Sequence, residues 1–252
     1  MADYLTRQET QPIEFPANKA NLSIRLRPDG FSFAWAEDGR IRTIHIDIPD
    51  ENPTGGLHKA LFGSEWPDRQ FERIHVCVPT DKAVLIPSEM DRPESYEAYM
   101  TGTGISVSED TRILSASVSN DKTLLYAVCE QVMAPLKERF GEKLVFFHPL
   151  YVNLTQPAEK GNRLLIDRAG GYAHYTLASN ESLLFCDVFP AENDDAILFH
   201  VNRIIVLNKI GSFSIRCSGD RLDATAGMLS GYYKEVGIHP DGEQRNLYFP
   251  LR

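Results

Sequence analysis

Three short runs hold the residue types from which a phosphate site is built. Pro28-Asp29-Gly30 and Asp167-Arg-Ala-Gly170-Gly171 each close an apolar stretch, and Ser218-Gly219-Asp220 stands between a strand-like run and a helix-like one. Glycines let backbone amides approach an anion, and an aspartate can position magnesium or water. Asp29, Gly30, Asp167, Gly170, Gly171 and Gly219 would be cofactor-binding residues only on the alternative reading, in which these turns hold phosphate. Each also has a plainer account. Asp-Gly and Gly-Gly are pairs that close β-hairpins. Pro28 has no amide to donate, while the bulky Phe31 and Tyr172 directly follow Gly30 and Gly171 and would crowd an anion at those turns. One glycine at a strand-to-helix junction is common without any ligand. Thr101-Gly-Thr-Gly104 has no lysine at phosphate-loop spacing and reads as a turn.

Other chemistries find less support. His45, His58, His75, His148, His174, His200 and His239 form no His-x-x-x-His pair and have no close cysteine pairs, so no metal site is expected. A Gly-x-Ser-x-Gly elbow is missing from the sequence. The carboxylates Asp47, Asp50 and Glu51, like Asp187, Glu192, Asp194 and Asp195, gather at strand ends and a helix start, where caps and solvated turns account for them. No catalytic residue is assigned. Phe31, Phe33 and Trp35 alternate as a core-facing stripe, with Tyr172 and His174 as their expected counterpart in the second half. A net charge of −9 over 252 residues disfavours a nucleic-acid surface. Neither a signal-peptide core nor a membrane-spanning run is evident. Cys77, Cys129, Cys186 and Cys217 lie far apart within apolar patterns, as reduced thiols of a cytoplasmic protein would.

These residues must be positioned by a recurring arrangement. Leu22–Ile48 and Arg163–Phe189 each read as three strands joined by tight turns. Gly30 precedes Gly171, and Pro49 precedes Pro190, by the same 141 residues (171 − 30 and 190 − 49). A duplicated meander in register at that offset is expected. Each meander leads to a helix, a strand and a second helix. In the first half these are a helix at 55–63, a strand at 73–78, a helix at 129–140 carrying Pro135, and a strand at 143–147. In the second they are a helix at 194–209, a strand at 213–217 and a helix at 222–234, with a last strand at 246–250. The expected division is an N-terminal segment 1–20, a first half 21–150 with an insertion at about 80–122, a linker 151–162 and a second half 163–252. Phe33, Trp35, Ile46, Val76, Val78, Ile166, Phe185, Ile204 and Ile215 are the expected core.

Leu22-Ser-Ile-Arg-Leu26, Asp29-Gly-Phe-Ser-Phe33, Arg163-Leu-Leu-Ile166 and Ile215-Arg-Cys-Ser-Gly-Asp220 resemble a bacterial family known as domain of unknown function 3822. That family is similar in fold to the actin-like ATPases. The resemblance spans roughly residues 20–250. It implies an α/β (α+β) chain of duplicated ribonuclease H-like halves, the actin-like ATPase fold, with an insertion in the first half. The departures in the loops imply a non-enzymatic scaffold or partner-docking protein that takes no cofactor, with an unknown protein partner and neither nucleic acid nor membrane. The alternative it implies is a divergent ATP-binding ATPase or kinase using the six candidate residues. A nucleic-acid enzyme of the ribonuclease H type is disfavoured by the charge and by the lack of a carboxylate cluster.

Overall fold

Alternation of apolar and polar residues builds the first hairpin. Leu22 and Ile24 of β2 (Asn21–Arg27) lie opposite Trp35 and Phe33 of β3 (Gly30–Glu37), so their side chains share one face and enter the main core. A computed structural model describes residues 5–9, 21–27, 30–37, 40–47, 61, 71–156, 160–180 and 182–251. In it, β4 (Arg40–Asp47) pairs antiparallel with β3, and β1 (Leu5–Glu9) adds to β4. On the other side β5 (Arg73–Cys77) and β9 (Leu144–Phe147) continue the sheet in parallel. The order is β1-β4-β3-β2-β5-β9.

The second sheet follows the same plan. The strands β10 (Asn162–Ala169), β11 (Tyr172–Ser179) and β12 (Ser182–Pro190) form a meander, and β13 (Ser214–Gly219) and β14 (Val236–Ile238) join β10 in parallel. Its order, β12-β11-β10-β13-β14, repeats β4-β3-β2-β5-β9, with two antiparallel pairings followed by two parallel ones. A third, antiparallel sheet, β6-β8-β7, is made by Ala83–Pro87 (β6), Thr111–Ser119 (β7) and Lys122–Cys129 (β8).

The residue correspondence expected at 141 is one short. Arg27↔Gly30 and Ala169↔Tyr172 are the pairs that flank the two hairpin loops, so Gly30 matches Tyr172 (172 − 30 = 142). Gly170 and Gly171, with φ of +65° and +83°, are themselves the two-residue loop. A hairpin closed this way needs positive φ at both positions, which explains the glycine pair. Farther on, a register shift in the β11–β12 pairing between Leu177 and Ala178 displaces β12, and Pro190 stands opposite Tyr172 where Asp47 stands opposite Gly30. Pro49 lies outside the described residues. A one-residue slip exchanges the faces of a strand. The core-facing partners of Phe31, Phe33 and Trp35 are accordingly Ala173, Tyr175 and Leu177, and Tyr172 and His174 point to the opposite side.

Among the described residues, helices α1 (Tyr96–Gly102), α2 (Glu130–Phe140), α3 (Pro149–Leu154), α4 (Asp194–Leu207), α5 (Leu222–Ser230) and α6 (Arg245–Tyr248) connect or cover these sheets. The helix runs on through Pro135 in α2. In α4, Asn193 caps the N-terminus by accepting from the Ala196 amide at 2.9 Å, and Ile197, Val201 and Ile204 enter the second core. The expected helix at 55–63 lies outside the described residues except for Leu61, which is helical. Of the expected core, Ile46 and Phe185 are only half-buried and the rest is buried.

The expected last strand at 246–250 is instead α6 followed by a 3₁₀ turn, Phe249–Leu251. Helical turns send Leu247, Tyr248 and Leu251 to Ala34 and Ile41, while Arg245 and Asn246 turn into the interior. An extended strand would alternate these residues and lose one set of contacts. The C-terminal segment thereby covers the second face of the first sheet, burying Ser23, Arg25 and Ser32. Among the described residues no helix is long and apolar enough to cross a membrane.

Candidate functional site

Where the two five-strand arrays meet, charged side chains come together from elements far apart in sequence. Asp167, near the end of β10, is fully buried. Its two carboxylate oxygens accept from Ser218 Oγ at 2.6 Å and Asn246 Nδ2 at 2.7 Å. Arg245 donates to Ser218 Oγ at 3.3 Å and to Asn153 Oδ1, linking α6 and α3 to the same carboxylate. From β2, Arg25 donates to Asp220 Oδ1 at 2.9 Å, to the Arg168 carbonyl at 3.3 Å and to the Glu243 carbonyl at 2.7 Å. The Asp167 bonds thus tie β10, β13, α3 and α6 together, and the adjoining Arg25 bonds carry β2 of the first sheet to Arg168, Asp220 and the C-terminal segment.

Burial works against the Arg25 charge, but Asp220 and Asp167 outweigh it and hold the guanidinium above its ordinary range. For Arg245 burial prevails and pushes the value down, against the pull of Asp167. Arg245 Nε and Nη2, Asn153 Nδ2 and Asn246 Oδ1 have no protein partner, so each bond the cluster does make carries more weight.

Two histidines close the cluster. His174 Nδ1 lies 3.0 Å from the Asp167 carbonyl, and the His148 ring packs edge-on against it at 5.0 Å. His148 Nδ1 accepts from the Leu150 amide at 3.2 Å, capping α3, and its Nε2 meets the Thr80 carbonyl at 3.0 Å. Burial holds both imidazoles below 6.5, and for His148 the neighbouring His174 lowers it further. The fold therefore requires them neutral. The stability they contribute is complete above 6.5 and is lost as pH falls through that value toward the lower folded ones. Urea unfolding should show lower stability at about pH 5.5 than at about pH 7.5, and equal stability would contradict neutral burial.

The structure separates the residues that sequence grouped as candidates. Asp29 lies outside the described residues, and Gly30 opens β3 opposite Asp47. Asp167 belongs to the buried cluster, and Gly170 and Gly171 to the hairpin tip. A Cβ on Gly170 would meet Pro79 Cγ at 3.0 Å. Gly219, with φ of +88°, packs on the Arg168 backbone, where a Cβ would lie 2.0 Å from the carbonyl oxygen. A cavity of about 300 Å³ beside the hairpin tip is lined by Leu26, Arg27, Val78, Pro79, Thr80, Ala127, Val128, Cys129, Val132 and Gly170, so among the described candidates only Gly170 reaches it. Among the described residues no group of three or more His, Cys, Asp or Glu is placed to hold a metal ion. Sequence reasoning missed Arg25, Asn153, Arg245 and Asn246. An arginine alternating with serine on the second face of an apolar strand was the available signal for Arg25.

With the geometry in place, comparisons supply the relationships. The family described as protein of unknown function (DUF3822) matches residues 12–211. No curated protein matches. A Bacteroides thetaiotaomicron VPI-5482 protein with actin-like ATPase fold and unknown function superposes with a TM-score of 0.80 at 13% identity, covering 92% of this chain and 95% of its own. The PilM-PilN type IV pilus biogenesis complex gives 0.59 at 12% identity, with 94% and 98% covered. The cytoplasmic domain of EpsL, an inner membrane component of the type II secretion system of Vibrio cholerae, gives 0.50 at 11%, with 89% and 87% covered. At such identities the likeness establishes the fold, which is that of the actin-like ATPases.

Proposed function

This chain belongs to the family of proteins of unknown function DUF3822 and has the actin-like ATPase fold, and from that premise we propose that it is a non-enzymatic scaffold that docks a protein partner. The observation that carries the reading is the engagement of Asp167. Both of its oxygens are taken by the chain's own Ser218 and Asn246, so the carboxylate is committed to fixing β13 and the C-terminal helix that packs on the first sheet, rather than to magnesium or water. Gly170, Gly171 and Gly219 have steric or hairpin roles that do not call on a phosphate. Two fold neighbours are parts of larger assemblies, a pilus biogenesis complex and a secretion system, which supports docking as the use of this fold. The halves are taken as 21–150 and 163–252. Four unpaired cysteines support a reducing, cytoplasmic setting, and the net charge of −9 supports a protein partner over nucleic acid.

Calorimetric titration with magnesium and ATP is the test. The expected result is no saturable heat up to about 1 mM nucleotide, weaker than about −4 kcal/mol of binding. Micromolar, magnesium-dependent binding that Asp167→Asn abolishes would overturn the scaffold reading. It would make Asp29, Gly30, Asp167, Gly170, Gly171 and Gly219 the nucleotide site of a divergent ATPase or kinase.

A further inference from the structure

The second core leaves one helix face uncovered. Helix α4 buries Ile197, Val201 and Ile204, and a surface helix with that stripe ordinarily turns polar residues outward. Here the outward side presents Phe199, Val206 and Leu207, 61%, 73% and 65% exposed. Large apolar side chains left this exposed on the outer side of a helix are of the kind that interaction sites use. The Phe199 ring is held in place: it packs edge-on against His200 at 5.3 Å, and His200 stacks on Phe189 at 4.1 Å. A large, preset aromatic at the middle of a patch is the anchor type that protein interfaces use.

Charge along the same face identifies the occupant. Asp195, Phe199, Arg203 and Val206 follow at spacings of four, four and three, so they share one side of the helix, and Asp195 and Arg203 are both exposed. The face is acidic before Phe199 and basic after it. Exposed Glu192 on the N-terminal side and exposed Lys209 on the C-terminal side extend the same polarity. A two-fold interface demands that a surface complement itself, residue i meeting j as j meets i. An antiparallel copy of this helix satisfies that demand, and its opposed dipole adds to the fit.

We propose that the exposed face of α4 is a self-association surface, on which a second copy of this chain lays its own α4 antiparallel across a two-fold axis at Phe199. The two phenylalanines meet on the axis, Asp195 of each copy faces Arg203 of the other, and Val206 and Leu207 flank them. Neither nucleotide nor the buried charge cluster enters this inference, so it stands or falls apart from the docking reading.

Sedimentation equilibrium of the full chain from about 1 to about 100 µM reads it directly. The wild type should show a monomer–dimer equilibrium, and Phe199→Glu, melting as the wild type does, should stay monomeric. Asp195→Arg and Arg203→Asp should each raise the dissociation constant roughly tenfold, and the two together in one chain should return it to within about threefold. A wild type monomeric throughout, a Phe199→Glu dimer of unchanged affinity, or a double reversal without rescue would each overturn the proposal.

Discussion

Asp167→Ala should lower the unfolding free energy by about 3–5 kcal/mol, because it strips a buried ion cluster of its central counter-charge. Asp167 has no solvent exposure and binds Ser218 and Asn246 directly. Its charge also offsets the buried guanidinium groups of Arg25 and Arg245. Removing the carboxylate leaves both cations in a poorly solvated interior, with two donors unpaired. Asp167→Asn keeps the shape and one acceptor, so it should cost less than alanine while still exceeding about 1 kcal/mol. Urea denaturation followed by circular dichroism gives these values. Near wild-type stability in Asp167→Ala would mean that the carboxylate is not what holds β10, β13 and the C-terminal helix together.

Gly219→Ala should be as severe, with a loss of roughly 3 kcal/mol or more, for a reason of sterics alone. The added Cβ would fall 2.0 Å from the Arg168 carbonyl oxygen, a backbone atom that cannot rotate away. That carbonyl also accepts from the Asp220 amide at 2.7 Å and from Arg25, so moving it disturbs the cluster. Gly171→Ala is the control. Its φ of +83° is equally left-handed, yet nothing lies within 4 Å of the new Cβ. It should cost only the conformational strain, about 1–2 kcal/mol. Equal losses in the two variants would contradict a close backbone contact at Gly219.

Much of the fold could be read in the chain, and the limits have physical causes. Strand alternation and turn glycines located both meanders, since apolar spacing of two and Gly-Gly turns are local signals. Register escaped by one residue because a glycine pair does not reveal whether its second glycine opens the following strand or stays in the loop, and the shift near Leu177 depends on the neighbouring strand. The C-terminal segment was misread as a strand because Asn246–Pro250 is apolar and extended-looking in isolation. Its helical turns are fixed by where Asn246 and Arg245 find buried partners, a tertiary condition invisible to a local pattern. The candidate site was legible through Asp167 and the Ser218-Gly219-Asp220 run. Arg25, Asn153 and Arg245 gather around these from positions far apart in the chain, and no motif spacing links them.

Amide hydrogen exchange across the junction, with and without magnesium and ATP, tests most directly whether the two sheets are joined by the chain's own side chains. Asp220, whose amide donates to the Arg168 carbonyl, and Ser218 and Gly219 in β13 report on the cluster. These amides should already be protected near the level of global unfolding in the free protein, and nucleotide should leave their rates unchanged. Rapid exchange in the free protein, slowed when magnesium and ATP are added, would contradict this account and show a cleft that nucleotide closes.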